Sequence, residues 1–260
     1  MNKDSLRQAV NTITFFATVV VNGLANALPL NGQTTAQISD RFPVYFTPAN
    51  YVFSIWGVIY LLLLGFTIYQ TLPSQRENPR LRRIGYLPAL AGALNSGWIF
   101  LWHYNLFELT VPVMIGLLIT LIAIYMRLDI GRASPALREK WLTNIPFSVY
   151  LGWITIATIA NVTALLYYLN WNGFGISPEV WTVAILLIGA AIASTLIFTR
   201  ADIAYTLVVV WAYAGIVVKQ SGVPIVAGTA VLGALVVAAV LIAARLQWAQ
   251  RSRSQPAASA

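Results

Sequence analysis

The chain has 260 residues, 58% of them hydrophobic and only 9% charged, with a mean hydropathy of +0.72 and a formal net charge of +8. A soluble domain carries about 25% charged residues to cover its surface, so most of this chain's exterior must face something other than water. The lack of cysteine and the single histidine, His103, exclude disulfides, thiol catalysis and a metal site built from Cys or His within one chain.

Apolar runs of seventeen residues or more recur along the chain. Runs of that length are spanning helices rather than the short alternating strands of a barrel. Eight are expected, near 9–30, 50–71, 85–102, 110–126, 144–168, 180–198, 203–219 and 224–245. The first follows Lys3 and Arg7, is interrupted by Asn22 and ends in Ala25-Asn26-Ala27, which superficially suits a signal-peptide cleavage site. It is longer than a signal core of about 7–15 residues, so it reads as a span.

In the second run Phe53, Trp56 and Tyr60 are spaced three and four apart and form one helical stripe. The third repeats that spacing in Asn95, Trp98 and Trp102, and ends in His103 beside Tyr104, an expected interfacial histidine in an aromatic belt. In the fifth, Trp153, Ala157 and Asn161 are each four apart. An amide facing lipid would leave polar groups unpaired in hydrocarbon, so Asn95 and Asn161 are expected to point inward. Two readings of these stripes stand side by side. They are helix-packing seams with asparagine as interhelical glue, or they wall a pocket for a large, planar, mostly apolar ligand. The tail from 247 to 260, containing Arg251-Ser252-Arg253-Ser254-Gln255-Pro256, is expected to be disordered.

Lysine and arginine set the orientation. With eight spans, fourteen basic residues fall on the side of the N-terminus and two, Arg41 and Lys219, on the other. Both termini are therefore expected in the cytoplasm, with the chain in the cell (inner) membrane. The same distribution argues against nucleic-acid binding, because the basic residues sit between apolar runs instead of forming one continuous surface. No Asp, Glu, Lys or Arg falls in the middle of a run. That argues against an ion-driven pump and against a hydrolase relying on paired carboxylates or an Asp-His couple.

At these stripes the chain resembles the tryptophan-rich sensory protein family, also called the translocator protein or peripheral benzodiazepine receptor family, a five-helix membrane bundle. Pro48-Ala49-Asn50-Tyr51-Val52-Phe53-Ser54-Ile55-Trp56-Gly57-Val58-Ile59-Tyr60 is similar to its second-helix signature, with Phe53 to Trp56 one residue shorter. Leu94-Asn95-Ser96-Gly97-Trp98-Ile99-Phe100-Leu101-Trp102 matches the third-helix signature. Tyr150, Trp153, Ala157 and Asn161 match the fifth, with its proline displaced to Pro146 and its penultimate leucine replaced by Ala160. After the fifth span, Val162 and Tyr167 are followed by no basic residue through Asn172, so the cholesterol-recognition pattern of some relatives is missing.

The resemblance covers residues 5–170 and implies an all-α polytopic bundle. A five-helix core would be extended by three helices over 171–246, followed by the tail. It further implies a non-enzymatic or weakly catalytic membrane receptor for a planar hydrophobic small molecule, with porphyrin or haem as ligand and no required cofactor. Phe53, Trp56, Tyr60, Asn95, Trp98, Trp153, Ala157 and Asn161 would line its pocket, and a homodimer is admitted. The alternative is a facilitative transporter or exporter of a small apolar molecule, with Gly57, Gly97 and Gly152 allowing close helix approach.

Overall fold

The computed structural model describes residues 2–28 and 30–254. Each of the eight apolar runs becomes a long helix. These are α1 (Lys3–Ala27), α3 (Ile55–Thr71), α5 (Leu87–His103), α6 (Phe107–Arg127), α8 (Ile145–Tyr168), α9 (Pro178–Arg200), α10 (Ile203–Lys219) and α11 (Pro224–Ser254). Shorter pieces join them: α2 (Thr35–Ser39), α4 (Pro79–Ile84) and the single turn α7 (Leu137–Glu139), which runs through a π-turn into α8. Among the described residues six helical segments are long and apolar enough to cross a membrane. α5 and α10, at 17 residues each, sit at the short end of the spanning range. The final helix continues to Ser254, past the expected start of the tail at 247, and residues 255–260 lie outside the described residues.

The bundle is apolar on its outer face, and α1 turns its polar residues inward, because an unpaired polar group in hydrocarbon is costly. On α1, Ile13, Phe16, Val20 and Leu24 face outward while Arg7, Gln8, Asn11, Thr18 and Asn22 are buried. The inward amides stitch helices together. Gln8 Nε2 donates to the Gln70 carbonyl (2.6 Å), Gln70 Nε2 returns a bond to the Gln8 carbonyl (3.1 Å), and Asn11 Nδ2 donates to the Gly85 carbonyl (3.1 Å). At Gly92 the backbone of α5 comes so close to α1 that a Cβ would lie 2.7 Å from Thr18 Oγ1. A small residue at such a crossing is how membrane helices gain packing contact.

Five helices close into a ring in the order α1, α5, α6, α8, α3 and back to α1. α8 is the pivot, with half of its 24 residues buried. On its other side it carries α10, which packs on α11, which packs on α9. One apolar core runs through both groups, from Phe66, Leu121 and Phe147 to Val208, Tyr213 and Val237.

The α9–α10 turn ties the outer layer to the ring. Ala201 takes a left-handed conformation (φ 49°) and aims two buried charges inward. Arg200 donates to Asp129 Oδ1 (2.6 Å) and to the Ile130 carbonyl (3.2 Å). Asp202 accepts from Tyr125 Oη (2.9 Å) and Ser148 Oγ (2.6 Å), and its other oxygen caps α10 at the Ala204 and Tyr205 amides (3.0 and 3.2 Å). Of the three glycines expected to permit close approach, only Gly152 does so: a Cβ there would lie 3.0 Å from Val208 Cβ and 3.2 Å from the Tyr205 carbonyl. A Cβ at Gly57 or Gly97 would meet nothing within 4 Å.

Candidate functional site

The five-helix ring encloses a cavity of about 430 Å³ in the half of the bundle remote from the N-terminus. Its floor is at the level of Tyr60, Met114 and Trp153, and the segment from Thr35 to Pro48, including α2, covers its other end. Two stacked pairs with helical i,i+4 spacing form its flat walls. Trp56 lies on Tyr60 (centroids 5.5 Å apart, 19° between planes), and Trp98 lies on Trp102 (5.1 Å, 18°). Trp153 stands edge-on to both Trp56 (6.2 Å) and Phe53 (5.7 Å). No lining residue is charged.

Seven of the eight residues singled out from the sequence come to this wall: Phe53, Trp56, Tyr60, Trp98, Trp153, Ala157 and Asn161. Asn95 does not. It is 2% exposed and sits behind the wall, where its Oδ1 accepts from Asn22 Nδ2 (2.7 Å). Asn161 reaches the cavity but is also committed to neighbouring helices. Its Oδ1 accepts from Trp98 Nε1 (3.0 Å) and its Nδ2 donates to Thr110 Oγ1 (2.8 Å). Both asparagines therefore act as interhelical glue, one of the two roles the stripes admitted.

Two other lining residues, Tyr60 and Trp153, carry polar atoms with no protein partner. Tyr60 Oη and Trp153 Nε1 are both buried and unbonded. Leaving a buried donor unpaired costs about 1–3 kcal/mol, so native interiors rarely tolerate it without reason.

His103, expected as an interfacial histidine in an aromatic belt, does end α5, but it is 1% exposed and faces the protein interior. Its Nδ1 faces the Leu30 carbonyl and its Nε2 faces Thr35 Oγ1, both at 3.0 Å. The carbonyl can only accept, which puts the proton on Nδ1 and lets Nε2 accept from threonine. The ring thus pins the covering segment down and does not line the cavity. Further along, the Tyr45 hydroxyl donates to Glu179 Oε1 (2.8 Å), a bond that raises the phenol's pKa because ionisation would break it beside a carboxylate.

Sequence periodicity missed the rest of the lining. Asn22 and Asn26 belong to α1, and Thr35, Ala36, Ser39, Phe42, Thr47 and Pro48 to the covering segment. Asn22 carried a signal, as the polar interruption of an apolar run; the covering segment has no period to read.

A family model described as TSPO-like protein matches residues 8–243. The chain belongs to the TSPO-like protein family. The match takes in α9, α10 and most of α11, for which the five-helix resemblance offered no counterpart. No curated protein and no solved structure matches the chain. As a TSPO-like protein it is a multi-pass membrane protein of the sensor- or transporter-like kind.

Proposed function

We propose that this TSPO-like protein is a non-enzymatic membrane receptor that binds a planar hydrophobic ligand of the porphyrin class in the ring cavity. The reading rests on one observation above all: an uncharged cavity is walled by stacked aromatic pairs, and two of its lining residues, Tyr60 and Trp153, carry buried donors, Oη and Nε1, with no protein partner. Stacked walls suit a flat π-system, and the two donors suit acceptor atoms on it. Asn26, Thr35, Ser39 and Thr47 at the covered end offer polar contacts to a ligand's peripheral oxygens. His103 is engaged on both ring nitrogens outside the cavity, so binding would rest on stacking and not on axial ligation by this residue.

Receptor is favoured over transporter by what lies below the cavity. In the other half of the ring, Phe66, Leu121, Ile124, Tyr125 and Phe147 are at most 3% exposed and fill the centre. A transport path would require that core to reopen. Orientation with both termini in the cytoplasm is part of the same proposal, carried by the basic-residue count. The test is titration of purified full-length protein with protoporphyrin, read by quenching of tryptophan fluorescence. Saturable quenching without vectorial flux in proteoliposomes is expected. Flux with no saturable site would replace the receptor with a transporter.

A further inference from the structure

We propose a second site, independent of the ring cavity: the groove between α3 and α10 binds an anionic phospholipid from the leaflet that faces the basic loops. α3 and α10 both pack on α8, and the space between them has a volume of about 1070 Å³. It runs from the loop level at Ile203 down to Trp211, about 12 Å at 1.5 Å per helical residue.

The two ends of the groove differ in chemistry. Its membrane part is apolar, lined by Val58, Leu62, Leu207 and Val208, with Val58 and Leu207 more than half exposed. The loop end is basic and aromatic. Arg132, Lys140 and Arg245 converge there, with the indoles of Trp141 and Trp248 at the level where interfacial aromatics anchor. Four basic residues line the groove against one carboxylate.

The acids nearby are already engaged. Asp202 meets two hydroxyls and two backbone amides, Asp129 pairs with Arg200 (2.6 Å), and Glu139 lies 3.3 Å from Arg80. Arg132, Lys140 and Arg245 are exposed, and none forms an ion pair with a carboxylate among the described residues. Three uncompensated cations beside an apolar slot in the hydrocarbon region match an amphiphile with a phosphate head and an acyl tail. A soluble anion would use only the basic end, and a neutral lipid only the slot.

The test uses full-length protein in phosphatidylcholine vesicles containing either brominated phosphatidylglycerol or brominated phosphatidylcholine, read by tryptophan quenching. Brominated phosphatidylglycerol should quench more strongly at equal mole fraction, and Trp141→Phe should remove part of the difference. Each of Arg132→Gln, Lys140→Gln and Arg245→Gln should lower the preference about fivefold, equivalent to about 1 kcal/mol per basic residue at an anionic surface. The conservative pair Arg132→Lys and Arg245→Lys should retain it. So should Arg76→Gln with Arg138→Gln, which removes exposed charge outside the groove. Equal quenching by the two lipids, or a preference that survives the triple Gln variant, would overturn the site. A loss as large from the Arg76 and Arg138 changes would make the preference diffuse, and relief by soluble glycerol phosphate would reduce it to a free-anion site. Either result also overturns the proposal.

Discussion

Replacing Asp202 by alanine should be among the most damaging single changes in this protein. The carboxylate takes four hydrogen bonds at the point where α9–α11 join the ring. Alanine leaves Tyr125 Oη and Ser148 Oγ unpaired in buried surroundings and uncaps α10. At about 1–3 kcal/mol for each orphaned hydroxyl and about 0.5–2 for the cap, the loss should be about 2.5–8 kcal/mol. Asparagine should be much milder, near 1 kcal/mol, because its Oδ1 still caps the helix while the two hydroxyls turn to accept from its amide. The assay is reversible unfolding of purified protein in mixed micelles, followed by circular dichroism. The reasoning fails if Asp202→Ala costs less than about 1 kcal/mol, or if Asn is as harmful as Ala.

Gly57 lines the cavity with open space where its Cβ would be, so Gly57→Leu should fill the site without a clash. Exchange of glycine for leucine inside a helix should leave stability equal or higher by up to about 1 kcal/mol, while porphyrin quenching is lost; retained binding would remove the ligand from this wall. Asn161→Leu breaks two interhelical bonds worth about 0.6 kcal/mol each, so a stability loss of about 1–2 kcal/mol is expected in the same unfolding assay. Reporter fusions after Ser74 and Ser134 should report cytoplasmic, and fusions near Gln33 and Asn172 the opposite side. A chain truncated near Gly173 tests whether 5–170 stands alone as a core. The shared apolar core and the loss of Asp202's bonds to Tyr125 and Ser148 lead us to expect weaker insertion and lower thermal stability than a self-contained unit would show.

The spans were legible as long uninterrupted apolar runs, and the aromatic walls because they follow helical periodicity. Trp56 and Tyr60, or Trp98 and Trp102, stack because residues four apart lie above one another on a helix, a relation visible in the sequence. Pairings between helices were not legible. Nothing local says that Asn95 will meet Asn22, or that Asn161 will be held by Trp98 and Thr110, since those bonds join residues more than fifty positions apart. His103 was misplaced for a related reason. Its neighbours Trp102 and Tyr104 suit an interface, but the segment that folds back over it carries no periodic signal. Asp202 looked like a loop residue because it sits between two apolar runs; its burial follows from the left-handed turn at Ala201.

The central claim is that Tyr60 and Trp153 are unpaired because their partner is the ligand, and Tyr60→Phe tests it most directly. The change deletes one buried hydroxyl and keeps the ring that stacks on Trp56. Ligand-free protein should then be as stable as wild type or more so, because an unsatisfied polar atom has gone. Protoporphyrin affinity, measured by tryptophan quenching, should fall by about 0.5–1.5 kcal/mol, the net worth of one hydrogen bond. Lower stability of the ligand-free protein with unchanged affinity would contradict the account, because Tyr60 Oη would then be serving the fold and not a ligand.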